Sequence, residues 1–235
     1  MSFAIRFPPQ PETDAAGEYF ELEHVTSPGQ VERLRVQDYE RLYAVPGLYE
    51  EVVQRRLGCR TPDRMAALLA AAAAQLGREP ASVRILDLGA GNGVSGEALA
   101  ARGMRPVVGL DILPAARDAA LRDRPGVYDT YLAADIYALT PPEEQLIRDA
   151  APNTLACVGS VGGGHLPADA VAAALELLPP DALVAYAYDA ELPADPLQEL
   201  LAGARQLARE RALHRRTVTG GERHWEAVVV GLAGR

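Results

Sequence analysis

The 235-residue chain contains no lysine: all 23 of its cationic side chains are arginine. That absence removes a Schiff-base lysine, a Walker-type phosphate lysine and a lysine general base from consideration. Cysteine is almost as scarce. Cys59 and Cys157 stand far apart without metal-ligand spacing, so neither a disulfide framework nor a metal site is expected, and a reducing, cytoplasmic compartment suits them. Cations are outnumbered by 32 acids, for a net charge of −9. A long phosphate-neutralising surface is therefore not expected, and nucleic acid is set aside as a partner. Residues 1–17 mix Phe, Pro and acids without the apolar run of a signal peptide. The Ala-rich tract 65–76 is too short to span a bilayer, so no membrane partner is expected either.

What is present is a core-forming composition, 49% hydrophobic, sufficient for one large domain with an N-terminal cap. Residues 1–30, rich in Pro and acids, read as a loosely structured arm or lid. Helical patterns follow at 31–45, 47–57 and 61–76, the last with Thr61 as N-cap and Pro62 in its first turn. From residue 83 short apolar runs alternate with helix-length segments, the signature of βαβ units and a parallel sheet. Strands are expected at 83–88, 105–110, 128–134, 153–158 and 182–188, with helices at 94–102, 114–123, 142–150 and 168–178. Residues 196–210 read as a further helix, and 213–218 and 224–232 as a terminal pair of strands. The division is thus 1–60 as N-terminal arm and helical cap, and 61–235 as a Rossmann-like α/β domain.

The segment Asp87-Leu88-Gly89-Ala90-Gly91-Asn92-Gly93-Val94-Ser95-Gly96 runs from a buried strand through a glycine turn into a helix. Glycine permits the tight turn and lets a ligand approach closer than a Cβ allows. Residues 91–96 match the dinucleotide fingerprint, which would seat a pyrophosphate on the helix N-terminus. Asp87 argues otherwise, because a carboxylate repels pyrophosphate but accepts hydrogen bonds from an ammonium such as the α-amino group of S-adenosylmethionine (SAM). Asp111, at the end of the second strand, suits ribose hydroxyls in either cofactor. Asp135, after the third, suits an adenine amino group, with Ile136 packing on the ring.

Asp87 to Gly93, Asp111 and Asp135, in this order and spacing, resemble the class I SAM-dependent methyltransferase family. The resemblance covers roughly residue 57 to the C-terminus. It implies a seven-stranded, mostly parallel sheet with helices on both faces, closed by an antiparallel terminal pair. It also implies that Asp87 and the Gly89, Gly91 and Gly93 backbone hold the methionine portion of SAM, Asp111 the ribose, and Asp135 with Ile136 the adenine. Ile112, Gly159 and Ser160 are expected beside the cofactor.

In an open α/β sheet, ligands sit outside the carboxyl ends of the strands. The loop Gly159-Ser160-Val161-Gly162-Gly163-Gly164-His165 should therefore line the reaction site. It lacks the Asn- or Asp-Pro-Pro-Tyr of amino-group methylating relatives. His165 is its only ionisable side chain and the candidate general base; the competing reading is a helix cap. Tyr19, Tyr43 and Tyr188 are the candidate substrate contacts; Tyr19, Phe20, Tyr39, Tyr43 and Tyr49 are the expected lid aromatics, with Tyr39 or Tyr43 able to face a sulfonium. Arg205, Arg209, Arg211, Arg215 and Arg216 read as a solvated face, and His24, His214 and His224 as scattered. The function expected is O- or N-methylation of a small-molecule acceptor by in-line transfer from SAM, with a homodimer as the candidate assembly. The alternatives are intramolecular cyclisation of SAM or a SAM-assisted rearrangement, an NAD-binding oxidoreductase, and a non-catalytic SAM-binding protein.

Overall fold

The computed structural model describes residues 3–24, 29–162 and 165–232, and for Ser160 the backbone alone. Two sheets organise it. A small antiparallel sheet, β1 (Phe3–Arg6), β2 (Tyr19–His24) and β3 (Val31–Arg35), precedes a seven-stranded sheet of order β6-β5-β4-β7-β8-β10-β9. The parallel strands of the large sheet are β4 (Arg84–Leu88), β5 (Arg105–Asp111), β6 (Thr130–Ala133), β7 (Thr154–Val161) and β8 (Leu183–Asp189). β9 (Arg205–Arg216) and β10 (Glu222–Gly231) close the sheet antiparallel. The seven-stranded Rossmann-like architecture is as expected from sequence.

Alternation sorts the sheet's two faces. Leu183, Ala185 and Ala187 of β8, with Ile85 of β4, lie under α2 (Thr61–Gln75) and α3 (Val94–Ala100). Val184, Tyr186 and Tyr188, with Leu86, face the side covered by α5 (Pro141–Asp149) and α6 (Ala168–Leu175). Ala66, Ala72 and Ala73 are the buried stripe of α2 beside Met65 and Leu69, so small side chains let that helix approach closely. α4 (Pro114–Asp123) connects β5 to β6 and opens on a proline whose missing N–H would have had no helical partner. Among the described residues no helix is long and apolar enough to cross a membrane.

The N-terminal region departs from the sequence expectation. Residues 3–6 and 19–24 of the supposed loose arm are strands, with 7–18 irregular between them, because Phe3 and Ile5 alternate with Ala4 and Arg6, and Phe20 and Leu22 with Tyr19, Glu21 and Glu23. Residues 31–35 extend this sheet instead of starting a helix; the helix is α1 (Tyr39–Ala44), followed by a wide π-helical segment, Glu50–Arg56. Phe20, Leu22, Leu42, Leu48 and Val52 give these elements a core of their own. The cap is therefore a mixed sheet-and-helix body.

The second departure is residues 196–210. Their composition reads as helix, yet 196–203 are turns and β9 begins at Arg205. β9 is the outer edge strand, paired along its length to β10. With one edge open and both faces largely polar, it shows no clean apolar alternation, and pairing overrides local propensity.

Candidate functional site

A cavity of about 550 Å³ opens along the carboxyl ends of the parallel strands, from β6 at one side to the β9–β10 pair at the other. This is the crevice expected where strand order reverses between β4's neighbours β5 and β7. Its first end is the glycine turn after β4, the ends of β5 and β6, and Ala134 to Tyr137.

Gly89, Gly91 and Gly93 have φ of 73°, 55° and 85°, the left-handed region that suits glycine. Gly91 is also held closely: a Cβ there would lie 2.6 Å from the Tyr43 hydroxyl. Asp111 Oδ2 accepts from Gly91 N–H and Oδ1 from Leu113 N–H, each at 2.9 Å. Burial raises its carboxyl above the ordinary range, and these N–H donors partly offset the effect. One side chain thus binds the first turn to the end of β5.

Asp87 is 0% exposed, behind the glycine turn, and does not itself line the cavity. Its Oδ2 accepts from the Tyr128 hydroxyl at 2.7 Å. Its Oδ1 is buried without a hydrogen-bond partner among the described residues. Burial pushes its pKa up to about 7, with the neighbouring Asp111 charge adding to the rise. Tyr128 and Tyr131 were unremarkable in sequence. Tyr128 lies so close to α3 that a Cβ on Gly96 would meet its hydroxyl at 2.5 Å, and Tyr131 donates to the Gly91 carbonyl. The third glycine of the fingerprint therefore makes room for a tyrosine.

Asp135 lines the cavity and its Oδ1 accepts from Tyr137 N–H at 3.0 Å, capping a short 3₁₀ turn. Ile112 and Ile136 flank this end. Gly159 lines the opposite wall with φ of 82°. The Ser160 side chain and residues 163–164 lie outside the described residues.

The cap closes over the turn through residues the sequence reading did not single out. Glu50 Oε1 accepts from Asn92 Nδ2 at 2.8 Å and pairs with Arg124 at 2.8 Å, while Arg124 also pairs with Glu97. Arg122 donates to the Tyr43 carbonyl. Tyr39, Tyr43 and Tyr49 form a cluster with ring centroids 5.4–6.5 Å apart. Burial raises the pKa of all three, so their hydroxyls are neutral. His165 stands at the mouth, edge-on to Tyr39 at 5.8 Å, and partial desolvation lowers its pKa.

The far end comes from the end of β8, β9 and β10. Trp225 stacks on His214 at 4.2 Å, and His214 Nδ1 lies 2.7 Å from Thr61 Oγ1. Thr61, expected as an N-cap, instead spends its hydroxyl on this histidine. Burial pushes the His214 pKa down to about 3. Cys59, Arg215 and Arg223 complete this wall. Against the sequence expectation, Arg215 is buried rather than solvated, and His214 belongs to the cavity.

Two candidate substrate residues fall outside the cavity. Tyr19 lies under the Arg33 guanidinium, 4.4 Å from its ring centroid, on the small sheet. Tyr188 shares the inward face of β8 with Tyr186, stacks on it at 6.2 Å and accepts from Arg209, so the period of two directs it under the helices. Tyr43 does line the cavity.

No protein-family model matches the chain, and no curated protein matches it. Solved structures do. The 1,6-didemethyltoxoflavin-N1-methyltransferase of Burkholderia thailandensis, with 1,6-didemethyltoxoflavin and S-adenosylhomocysteine (SAH) bound, is similar at a TM-score of 0.55 and 17% identity. That match covers 92% of this chain and 96% of that one. A TehB-like SAM-dependent methyltransferase of Corynebacterium glutamicum gives 0.53 at 18% identity, over 83% and 98%. Magnesium protoporphyrin IX methyltransferase of Synechocystis PCC 6803, with SAH bound, gives 0.54 at 14%, over 83% and 93%. The chain has the class I methyltransferase fold. Within that fold the cavity occupies the carboxyl edge, and the N-terminal body sits over it through Glu50 and Tyr43.

Proposed function

We propose that the chain binds SAM and methylates a small-molecule acceptor. Asp111 carries this reading: its carboxylate ends β5 inside the cavity, tied to the glycine turn, where the family's ribose-binding acid belongs. The residues present fit the cofactor. The backbone of Gly89, Gly91 and Gly93 forms a turn with no Cβ to obstruct a close ligand, and the orphaned Asp87 Oδ1 is a buried acceptor behind that turn. The turn, with the Asp87 carboxylate behind it, would hold the methionine portion, Asp111 and Ile112 the ribose, and Asp135 with Ile136 the adenine. Gly159 and Ser160 would border the reacting centre. The toxoflavin and protoporphyrin methyltransferases with this fold act on small molecules by their names, which supports the acceptor class.

Bound SAM supplies an electrophilic methyl group on its sulfonium. The chain's part is alignment and exclusion of water. The rings of Tyr39, Tyr43 and Tyr49 present neutral aromatic faces able to attract a sulfonium. Asn92 and Arg124 hold the π-helical segment closed through Glu50. His165, neutral near pH 7, is placed at the mouth to accept a proton from an acceptor hydroxyl or amine. The free, buried thiols Cys59 and Cys157 suit a cytoplasmic setting.

Calorimetry with SAM and SAH tests the cofactor, and mass spectrometry of SAM incubated with the protein and candidate acceptors tests the reaction. SAH as product supports methyl transfer. Methylthioadenosine formed from SAM alone would show attack within the cofactor, and absence of binding to either nucleoside would sink the reading.

A further inference from the structure

Arg215 and Arg223 face each other across β9 and β10. Like charges directly opposite in an antiparallel pair repel, and here both line the cavity. One carboxylate serves them. Glu18, 1% exposed, accepts from Arg215 Nη2 and lies 3.5 Å from Arg223 Nε through the same oxygen, while its other oxygen accepts from Val218 N–H at 3.0 Å. Arg215 also donates to the Arg216 carbonyl, and Arg223 to the Thr13 carbonyl. Two guanidiniums against one carboxylate leave one positive charge uncompensated. Arg223 Nε is in addition a buried donor without a hydrogen-bond partner among the described residues. Holding the N-terminal body to β9 needs only Arg215 and Glu18, whereas a second partly buried cation is unfavourable until an anion completes it.

Within 4 Å, Glu18 is the one acid paired with either arginine among the described residues. Of the acids lining the cavity, Asp111 and Asp135 lie at the glycine-turn end. Asp189, at the end of β8, directs Oδ1 to the Glu191 N–H. His214 is neutral and adds no charge. Next to the arginines, Trp225 and His214 present stacked aromatic rings.

We propose that this end of the cavity recognises an aromatic acceptor carrying an acid group, a carboxylate or a phosphate monoester, whose anion completes the Arg215–Arg223–Glu18 cluster while its ring lies against Trp225. The guanidinium fork matches either anion. The inference rests on the methyltransferase reading for calling this ligand the acceptor, but the anion site itself is testable alone.

Trp225 is the chain's single tryptophan, so its fluorescence reports occupancy of this end. Titrations with benzoate, phenyl phosphate and benzamide, each with and without saturating SAH, decide the matter. One of the two acids is expected to bind about tenfold or more tightly than benzamide, as a charge-assisted bond requires, and the stronger acid identifies the anion. Arg223→Gln should remove that preference, and Arg223→Lys, which keeps the charge without the fork, should keep part of it. Unchanged SAH affinity in both variants shows that they fold. Equal binding of acids and amide, no response to any probe, or a preference that survives Arg223→Gln overturns the proposal. If SAH fails to bind the unaltered chain, the cofactor reading falls, and the titrations without SAH still judge the anion site.

Discussion

The two ends of the cavity are made from chain in different ways. The glycine-turn end is nearly continuous: segments within 88–95, 110–113 and 134–137 reach it through successive βα units. The aromatic end gathers Tyr39, Thr61, Gly159, Asp189, His214 and Trp225 from segments far apart in sequence. A continuous site is held by its own strands and turns. A dispersed one depends on the docking of the N-terminal body and of the terminal strand pair.

Opposed titrations offer the largest test of that contrast. Asp87 at the first end has a folded pKa raised to about 7, so its contribution is present below the unfolded value near 4 and is lost as pH rises through 7. His214 at the second has a folded pKa depressed to about 3, so its contribution is present above about 6.5 and is lost as pH falls towards 3. Each is on the order of 4 kcal/mol over its window. The two windows overlap, so between about pH 4 and 6.5 the contributions nearly cancel in the unaltered chain. Urea unfolding across pH 4–8 should therefore show Asp87→Asn losing stability as pH falls below about 6.5, and His214→Gln losing stability as pH rises from about 4 to 7. If the two changes did not add in the double variant, the ends would not be independent.

Asp111→Ala should come next. It removes the acceptor of the Gly91 and Leu113 N–H groups and the carboxylate proposed for the ribose, a loss of about 2–3 kcal/mol, or roughly 30- to 150-fold in SAH affinity by calorimetry. Probe binding at Trp225 should be unaffected. Gly91→Ala places a Cβ at φ 55° and 2.6 Å from the Tyr43 hydroxyl. A cost of about 1–3 kcal/mol should appear in thermal unfolding, together with weaker SAH binding, because Tyr43 belongs to both the cap and the cavity wall. Tyr188→Phe should be the smallest: it loses the bond from Arg209, about 1 kcal/mol or less, with SAH and probe affinities unchanged. A changed affinity would return Tyr188 to the site.

Legibility followed the same division. Asp87, the glycines, Asp111 and Asp135 could be read in order because each sits at a strand end whose position follows from apolar runs. Even there, the hydrogen bonds from Tyr128 to Asp87 and from Tyr131 to Gly91 could not be read, since they arise only when β6 lies beside β5. Of the candidate substrate tyrosines, Tyr43 reached the cavity while Tyr19 and Tyr188 did not, because strand alternation turned them elsewhere. The alternation of residues 19–24 is a strand signal present in the sequence, masked by the surrounding prolines and acids. For β9 the signal itself was faint, since both its faces are largely polar.

The sequence by itself determined the sheet of βα units and the glycine turn with its acids, because periodicity and backbone conformation are local properties of the chain. Only the tertiary structure decided that Glu18 is shared between two arginines placed about 200 residues later, that His214 is neutral, and that the far wall is cationic and aromatic. Charge balance and burial depend on which segments become neighbours, and local patterns carry no record of that.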